Sequence, residues 1–295
     1  MSAHAPLDPA QLQNWPIDTL SQRYTARDVM FYALSLGIGQ APLDPAQLAY
    51  VYEEGLAVLP AFATVLADPG PWLGDPRLGL DWPGMLHGAQ RIELHRPLAT
   101  AAHVRSESHV MAVEDLGRER GARVVTRRKL FDADDGAPIA TLDMTSILRS
   151  HGGFDSTPRV RESAQRDERR AASRHAFDYT VPPQTALLFR LNGDMNGLHA
   201  DPAIARAAGF PQPILHGMAS FGIAGYMLLR ALERRAVELR EMEARFSVPV
   251  FPGDTLRIEA SSLTSVEGEQ LSFDVFALER NVKVMTRGAA RFGPA

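Results

Sequence analysis

The chain has 295 residues, of which 45% are hydrophobic and 22% charged. This composition is that of an ordinary globular protein and excludes disordered and fibrous classes. The length allows two similar halves or one large domain. A net charge of -4 would not gather nucleic acid or an anionic membrane, so neither is expected as a partner. The absence of cysteine excludes disulfides, thiolate metal sites and a cysteine nucleophile.

The sequence also gives expectations about location. The first residues lack the basic and apolar segments of a secretory signal. The most apolar runs, 55–67 and 222–229, are too short to cross a bilayer. The final Phe-Gly-Pro-Ala is not a peroxisomal address of the Ser-Lys-Leu type. We therefore expect a cytoplasmic protein.

Taken in chain order, the first predicted elements are helix starts. The octapeptide Ala-Pro-Leu-Asp-Pro-Ala-Gln-Leu occurs at 5–12 and again at 41–48. Asp followed by Pro is a good N-cap and first helical residue, so each copy predicts the beginning of a helix. Strand and turn patterns follow at 101–113, 123–131 and 138–148.

A boundary is predicted in the middle of the chain. Residues 157–174 are rich in Arg and Glu and have almost nothing apolar, which is typical of a solvated linker. Strand patterns return at 255–262, 271–278 and 282–292. The sequence thus predicts an N-terminal domain at 1–156, a linker at 157–174 and a C-terminal domain at 175–295.

Two short similarities between the halves suggest an internal repeat. The tripeptide Leu-His-Gly occurs at 86–88 and at 215–217, and residues 32–37 can be aligned with 189–194. The two alignments need different offsets. The residues alone therefore leave duplication and chance both open.

The polar loop at 192–199 carries the candidate chemistry. A helix is predicted directly after it, with Asp201 as N-cap and Pro202 in the first turn. Asp194 and His199 are thereby held close on one tight segment. A carboxylate and an imidazole that share one water can exchange protons at neutral pH, as the addition of water to an activated alkene requires.

A second candidate group lies at the start of the longest predicted helix, 219–237, which Gly217 precedes. A bare backbone N–H at a helix N-terminus can donate to a thioester oxygen as negative charge develops there. Gly222 and Gly225 would let a backbone or a thin acyl chain approach this helix.

Simpler interpretations apply to each residue alone. Taken singly, Asp194 and Asn196 are typical of Asx turns, His199 is typical of a cap residue, and His216 is typical of a histidine hydrogen-bonded in the core. Metal binding by Asp194, His199 and Asp201 is conceivable. The loop lacks a second spaced cluster of ligands, so no metal is expected.

The combination resembles the hydratase 2 branch of the MaoC-like hydratases and dehydratases. That family's loop reads Gly-Asp-x-Asn-Pro-Leu-His, and residues 193–199 read Gly-Asp-Met-Asn-Gly-Leu-His. Asp-Pro at 201–202 and Pro-Ile-Leu-His-Gly at 213–217 follow in the family's order. Residues 28–37 and 94–98 are similar to the N-terminal half of the family's hydratase domain. Gly197 in place of proline and Asn192 in place of the usual Ser are departures.

This resemblance implies an α+β double hot-dog fold, in which each half wraps an antiparallel sheet around one long helix and the halves pair through their sheets. It implies a hydro-lyase of fatty acid metabolism that hydrates trans-2-enoyl-CoA with R specificity. It also implies that Asp194 and His199 activate the water, that Asn196 supports the loop, and that the Gly217 N–H forms the oxyanion hole. No cofactor is expected beyond the CoA of the substrate, and a homodimer is expected.

In the first half, Gly37 falls at the position of the acid and no His follows at the needed place, so this half would be catalytically inactive and would hold the acyl tail. Two other functions use a similar pocket: an acyl-CoA thioesterase, and a non-catalytic subunit that binds acyl thioesters. The intact Asp194 and His199 argue against both. The residues that bind the CoA phosphates are not identified, although Arg245 and the basic run 127–129 are candidates.

Overall fold

The computed structural model describes residues 7–81, 84–155, 173–265 and 268–294. Ten antiparallel strands in these residues form one continuous sheet. The strands are β1 (Leu20–Tyr24), β2 (Met85–Leu94), β3 (Ala102–Asp115), β4 (Ala122–Asp132), β5 (Pro138–Leu148), β6 (Ser173–Thr180), β7 (Leu239–Phe246), β8 (Thr255–Ser265), β9 (Gly268–Ala277) and β10 (Val282–Phe292). The six strand segments that the sequence predicts are all present.

The strand order is β1-β3-β4-β5-β2-β7-β10-β9-β8-β6. The first five belong to the first half of the chain and the last five to the second, so the sheet is nearly symmetric about the β2–β7 pair. We call the β2–β7 pairing the seam. Arg91 on β2 stabilises it by binding Glu241 on β7 at 2.7 Å. The halves pair through their sheets as predicted.

Within the described ranges, six α-helices lie against or beside the sheet: α1 (Pro9–Gln13), α2 (Ala26–Ser35), α3 (Pro45–Leu48), α4 (Thr185–Phe189), α5 (Pro202–Ala207) and α6 (Gly217–Ala231). Asp8, Asp44 and Asp201 accept backbone N–H groups at the starts of α1, α3 and α5, which confirms the predicted Asp-Pro helix starts. No helix in the described residues is long and apolar enough to cross a membrane.

The central helix α6 is the longest in the described residues and is buried along most of its length. The sequence predicts that it continues to Val237, but it ends at Ala231. Glu233 has a φ of 52°, and the Arg234 N–H reaches back to Leu229 O at 2.9 Å. This closure satisfies carbonyl groups of the last turn and stops the helix.

The prediction of a long helix in each half is wrong for the first half. The position of α6 is taken there by a six-residue 3-10 turn, Pro60–Val65. Residues 68–71 read Asp-Pro-Gly-Pro, which cannot continue a helix because proline lacks the N–H and restricts the residue before it. Arg128 holds the end of the turn through Thr64 O.

The repeat that the fold contains follows only one of the two predicted alignments. Three pairs of positions are separated by the same number of residues. They are Gly37 and Asp194, Asp44 and Asp201, and the starts of Pro60–Val65 and α6. Residues 86–88 instead lie in β2, whose counterpart is β7. The Leu-His-Gly match is therefore not part of the repeat.

The predicted linker 157–174 lies outside the described residues except for its last two, which belong to β6. The division into domains at 1–156 and 175–295 stays a prediction.

Gly37 gives a test of the first-half loop. Its φ is 90°, and a Cβ there would lie 2.5 Å from the ring of Pro182. Gly37→Ala should lower the free energy of unfolding by roughly 3 kcal/mol, from left-handed strain of about 1–2 kcal/mol and overpacking of about 1–3 kcal/mol. Gly136→Ala is the control, since its φ is 75° with no neighbour within 4 Å. Urea denaturation measures both, and equal losses would contradict the packing assigned to Gly37.

Candidate active site

The loop that carries the candidate residues Asp194 and His199 begins where α4 ends. A short 3-10 turn, Arg190–Asn192, leads into Gly193, whose φ of 122° favours glycine and reverses the chain. The next residue, Asp194, accepts the Asn196 N–H through Oδ1 at 3.1 Å. The Asx turn expected as the simpler interpretation is thus present. It occupies only one carboxylate oxygen, and the Asp194 side chain stays 55% exposed.

Asn196 shapes the second part of the loop. Its Oδ1 accepts the Leu198 N–H at 3.0 Å and caps the 3-10 turn Gly197–His199. This contact fixes the direction in which His199 leaves the backbone, which is what a supporting residue of the loop must do.

His199 is buried and held by one strong contact. Its Nδ1–H donates to Ile214 O at 2.9 Å, because a carbonyl can only accept. The tautomer is thereby set, and Nε2 is free as an acceptor. Nε2 lies 4.0 Å from Oδ2 of Asp194, too far for a direct hydrogen bond and suited to two groups that share a water.

The surroundings keep His199 neutral. Burial lowers the pKa of His199, while the Ile214 carbonyl and the charge of Asp194 oppose this effect. Burial outweighs both, because removing a cation from water is costly where little solvent remains. A neutral imidazole at neutral pH can accept a proton from water.

His216 belongs to the same cluster. Its ring stacks on that of His199 with centroids 3.7 Å apart, and its Nε2–H donates to the backbone oxygen of Asp194 at 3.2 Å. Burial, and then the neighbouring His199, lower the pKa of His216 to about 3. Its Nδ1 is buried and has no hydrogen-bond partner in the described part of the chain. His216 is therefore the buried, hydrogen-bonded residue that the sequence suggests, and it also packs against His199.

Gly217 begins α6 next to this cluster. The N-cap residue, His216, makes no side-chain cap, so the first N–H groups of the helix have no acceptor within it. A Cβ at Gly217 would lie 3.1 Å from Nδ1 of His87, which comes from β2 of the first half. Burial lowers the pKa of His87 to about 4. The sequence does not mark His87 as a site residue, since only strand pairing across the seam brings it here.

Asn192 links the loop to the other half. Its Nδ2 donates to Ser35 Oγ at 2.9 Å and to Phe189 O at 3.0 Å. Ser35 is the buried last residue of α2. The departure from the usual Ser at 192 thus provides a hydrogen bond between the two halves.

Comparison with known proteins identifies the family. The model of the MaoC-like domain matches residues 165–283, and that of the MFE-2 hydratase 2 N-terminal domain matches residues 22–150. The chain is 32% identical to an enoyl-CoA hydratase of Mycobacterium tuberculosis, covering 90% of this chain and 91% of that protein. The chain belongs to the MaoC-like hydratase 2 family. The peroxisomal enoyl-CoA hydratase 2 of Arabidopsis thaliana is also 32% identical, covering 89% of this chain and 88% of the relative.

Solved structures confirm the fold of this hydratase 2 family member. A MaoC-like dehydratase from Phytophthora capsici superimposes with a TM-score of 0.76 at 26% identity, covering 97% of this chain and 99% of that one. A Mycobacterium tuberculosis protein described as a double hot-dog fold gives a TM-score of 0.59 at 15% identity, covering 94% and 96%. The predicted α+β double hot-dog fold is confirmed, with its helix in the second half.

The cluster also offers possible metal ligands. One atom each from Asp194, His199 and His216 lie within 4.8 Å of one another. The free nitrogens are Nε2 of His199 and Nδ1 of His216. Because the ring centroids are 3.7 Å apart and the ring planes only 27° apart, a metal ion at bonding distance could not lie in both ring planes, as imidazole ligands require. The donors fit a shared water better than a metal ion.

The structure narrows the candidates for the CoA phosphates. Arg127 forms two hydrogen bonds with Asp143 at 2.6 and 2.7 Å. Arg128 is buried and paired with Asp68, so it is unavailable to a ligand. Arg245 is exposed and stays a candidate.

The charge of Asp194 should be measurable at His199. Asp194→Asn is expected to lower the pKa of His199 further, because the carboxylate raises it. In the unchanged protein the midpoint should lie below the ordinary 6.5, and in the variant at still lower pH. Nitrogen-15 NMR titration of the imidazole measures both.

Asp201→Asn is the matched control, since Asp201 caps α5 and is not among the groups that shift His199. Equal displacement of the His199 midpoint in both variants would contradict the assigned pairing.

Proposed function

We propose that this hydratase 2 family member adds water reversibly to trans-2-enoyl-CoA to give the (3R)-3-hydroxyacyl-CoA. The observation that carries the proposal is the 4.0 Å separation of His199 Nε2 and Asp194 Oδ2 beside the N-terminus of α6. Relatives with matching lengths are named enoyl-CoA hydratase and 3-hydroxyacyl-thioester dehydratase, the latter at 36% identity over 79% of this chain.

The proton balance fits this pair. The water oxygen bonds to C3 of the alkene and loses a proton to the pair, while the π electrons move towards the thioester oxygen. C2 then takes a proton from the same side, so that the addition is syn and the pair returns to its starting state. A neutral His199 and an ionised Asp194 are the complementary groups that this exchange needs.

The N–H of Gly217 serves as the donor to the thioester oxygen. The helix N-terminus is fixed before the reaction, so the donor does not reorganise as charge develops. His87 and His216 line this region as neutral rings because burial lowers both pKa values. Stabilisation then comes mainly from the backbone N–H and the helix end.

The first half is proposed to be catalytically inactive. At Gly37, the counterpart of Asp194, a side chain would collide with Pro182 and with the Tyr179 hydroxyl. The 3-10 turn Pro60–Val65 is also much shorter than α6. These differences support a role in which the first half holds the acyl tail.

We also propose that the protein forms a homodimer, that it is cytoplasmic and that it needs no cofactor. Four large apolar side chains near the catalytic loop are about half exposed, a kind of surface that proteins bury in interfaces; they are Leu34, Leu187, Leu191 and Met195. Since several relatives are named peroxisomal enzymes, the cytoplasmic location rests on the sequence alone.

Asp194→Asn and His199→Gln should each reduce kcat on an enoyl-CoA by about 100-fold or more, since a positioned acid or base typically contributes ~10² to 10⁴. Loss of absorbance by the conjugated thioester measures turnover. Asp201→Asn is again the control. Ordinary activity in a folded Asp194 or His199 variant would remove that residue from the mechanism.

The stereochemistry follows from the same geometry. A water held by Asp194 and His199 can reach only one face of C3, so a single enantiomer should form. The family resemblance implies that this enantiomer is R, and chiral analysis of the product measures it. A thiol reagent in a parallel assay should find no free CoA. A racemate would contradict the water position, and stoichiometric thiol would favour a thioesterase.

Gly217 allows the donor itself to be tested. Gly217→Pro removes the N–H at a helical position that tolerates proline, and the backbone of His216, at φ −57° and ψ 139°, already suits a following proline. Gly217→Ala adds a similar Cβ near His87 but keeps the N–H. The proline variant should have a kcat about 10²- to 10³-fold below that of the alanine variant, and equal rates would exclude this donor.

A further inference from the structure

Two contacts join residues that are counterparts in the repeat. Asn192 Nδ2 donates to Ser35 Oγ at 2.9 Å, and the two residues are 157 positions apart in the chain. Phe189 and Tyr32, whose ring centroids are 6.0 Å apart, have the same separation in the sequence. Where equivalent residues of two halves touch each other, a two-fold axis passes between them. The end of α2 therefore meets the end of α4 on the pseudo-two-fold axis of the fold.

The loop that carries Asp194 and His199 starts at this axis, back to back with its counterpart in the first half. Asn192 lies two residues before Asp194, with only Gly193 between them. Gly193 has a φ of 122° and no side chain that would restrict its rotation. A fixed point immediately before this glycine therefore helps to decide where the Asp194 carboxylate lies.

The first-half loop provides a rigid support for such a fixed point. The Tyr179 hydroxyl donates to Leu36 O at 3.1 Å and accepts the Gln40 amide N–H at 3.1 Å. Tyr179 belongs to β6, so both bonds fasten the first-half loop to the second half. Ser35 itself is fully buried. The loop without an acid is thus held firmly in place at the axis.

The two sides of the axis differ in the number of hydrogens that they can donate. Each side chain bonds the carbonyl three residues earlier: Ser35 Oγ donates to Tyr32 O at 2.7 Å, and Asn192 Nδ2 donates to Phe189 O at 3.0 Å. A hydroxyl has one hydrogen, which this local bond occupies. An amide has two, and the second is donated to Ser35 Oγ. Serine on both sides would leave no hydrogen for a bond across the axis.

We propose that Asn192 is a positioning residue for the candidate acid–base pair and acts through its hydrogen bond to Ser35 of the first half. The inference rests on the proposed hydratase function. The bond fixes the chain just before Gly193, so that Asp194 stays at the 4.0 Å from His199 Nε2 that suits a shared water. The first half thus takes part in catalysis as the support of the loop, apart from any role in holding the acyl tail.

Asn192→Ser and Ser35→Ala each remove the bond across the axis. Each variant should lower kcat about ten-fold, since a misplacement of about 1 Å can cost as much as 10²-fold. KM should change less than about two-fold, because neither side chain belongs to the groups proposed to bind the thioester. Loss of absorbance by the conjugated thioester at a series of concentrations measures both constants.

The double variant, Asn192→Ser with Ser35→Ala, shows whether the two residues act together. Independent effects would multiply to about 100-fold, whereas loss of one shared bond should leave kcat within about two-fold of either single variant. Ser106→Ala is the matched control, since the buried Ser106 hydroxyl also donates to a backbone carbonyl, Ala67 O at 2.7 Å, but lies on β3. This control should keep its kcat within about two-fold of the unchanged enzyme.

The imidazole of His199 gives a readout that does not depend on turnover. When the loop is released, the exposed Asp194 carboxylate should spend less time beside His199. The pKa of His199 should then fall towards its value in Asp194→Asn, because the carboxylate raises it. Nitrogen-15 NMR titration of Asn192→Ser measures this shift, and Ser106→Ala should show none.

The outcomes separate this inference from the proposed function. If the unchanged enzyme hydrates no enoyl-CoA, the proposed function fails and the inference fails with it. If it hydrates enoyl-CoA and Asn192→Ser keeps the full kcat, only the inference is overturned. A double variant about 100-fold below the unchanged enzyme, or an equal loss in Ser106→Ala, would also overturn it. Ten-fold losses in both single variants, no further loss in the double variant and a lowered His199 midpoint would support it.

Discussion

The hydrogen bonds between β2 and β7 join two five-stranded sheets into one, and the candidate site depends on this seam. β2 carries His87 to the N-terminus of α6, although the two segments are far apart in the chain. The seam is held by backbone pairing and by Arg91, which binds Glu241 on the opposite strand. Separation of the halves would leave the loop of 192–199 intact and would remove His87 from the candidate site.

Within the second half, the site is built from short-range contacts. Gly193 turns the chain, Asn196 caps the turn before His199, and the Ile214 carbonyl sets the tautomer of His199. Each contact spans at most fifteen residues. The arrangement of Asp194 and His199 therefore depends mainly on contacts within the second half, and the Asn192 bond to Ser35 connects the loop to the first half.

The difference between short-range contacts and contacts across the seam explains which features the sequence could predict. The Asp-Pro helix starts, six of the ten described strands and the loop of Asp194 and His199 have local causes, so residue types and spacing predict them. His87 and Ser35 could not be assigned to the site, because each reaches it through pairing between distant segments. The Leu-His-Gly match misled because three residues carry no information on whether they lie in a strand or before a helix. No long helix follows Pro60 in the described residues because residues 68–71, which lie just beyond the apolar run 55–67, cannot continue one.

The two halves have diverged in a way that a single chain makes possible. In a symmetric pair of identical hot-dog subunits, a change that removes the helix or the acid from one subunit would remove it from both. Here Gly37 and the turn Pro60–Val65 alter only the first half, while Asp194 and α6 are retained in the second. The inner face of the first half is thereby released from packing against a helix of its own. Its strands can then carry polar side chains, such as Gln90 and Thr126, that a tightly packed helix interface would exclude.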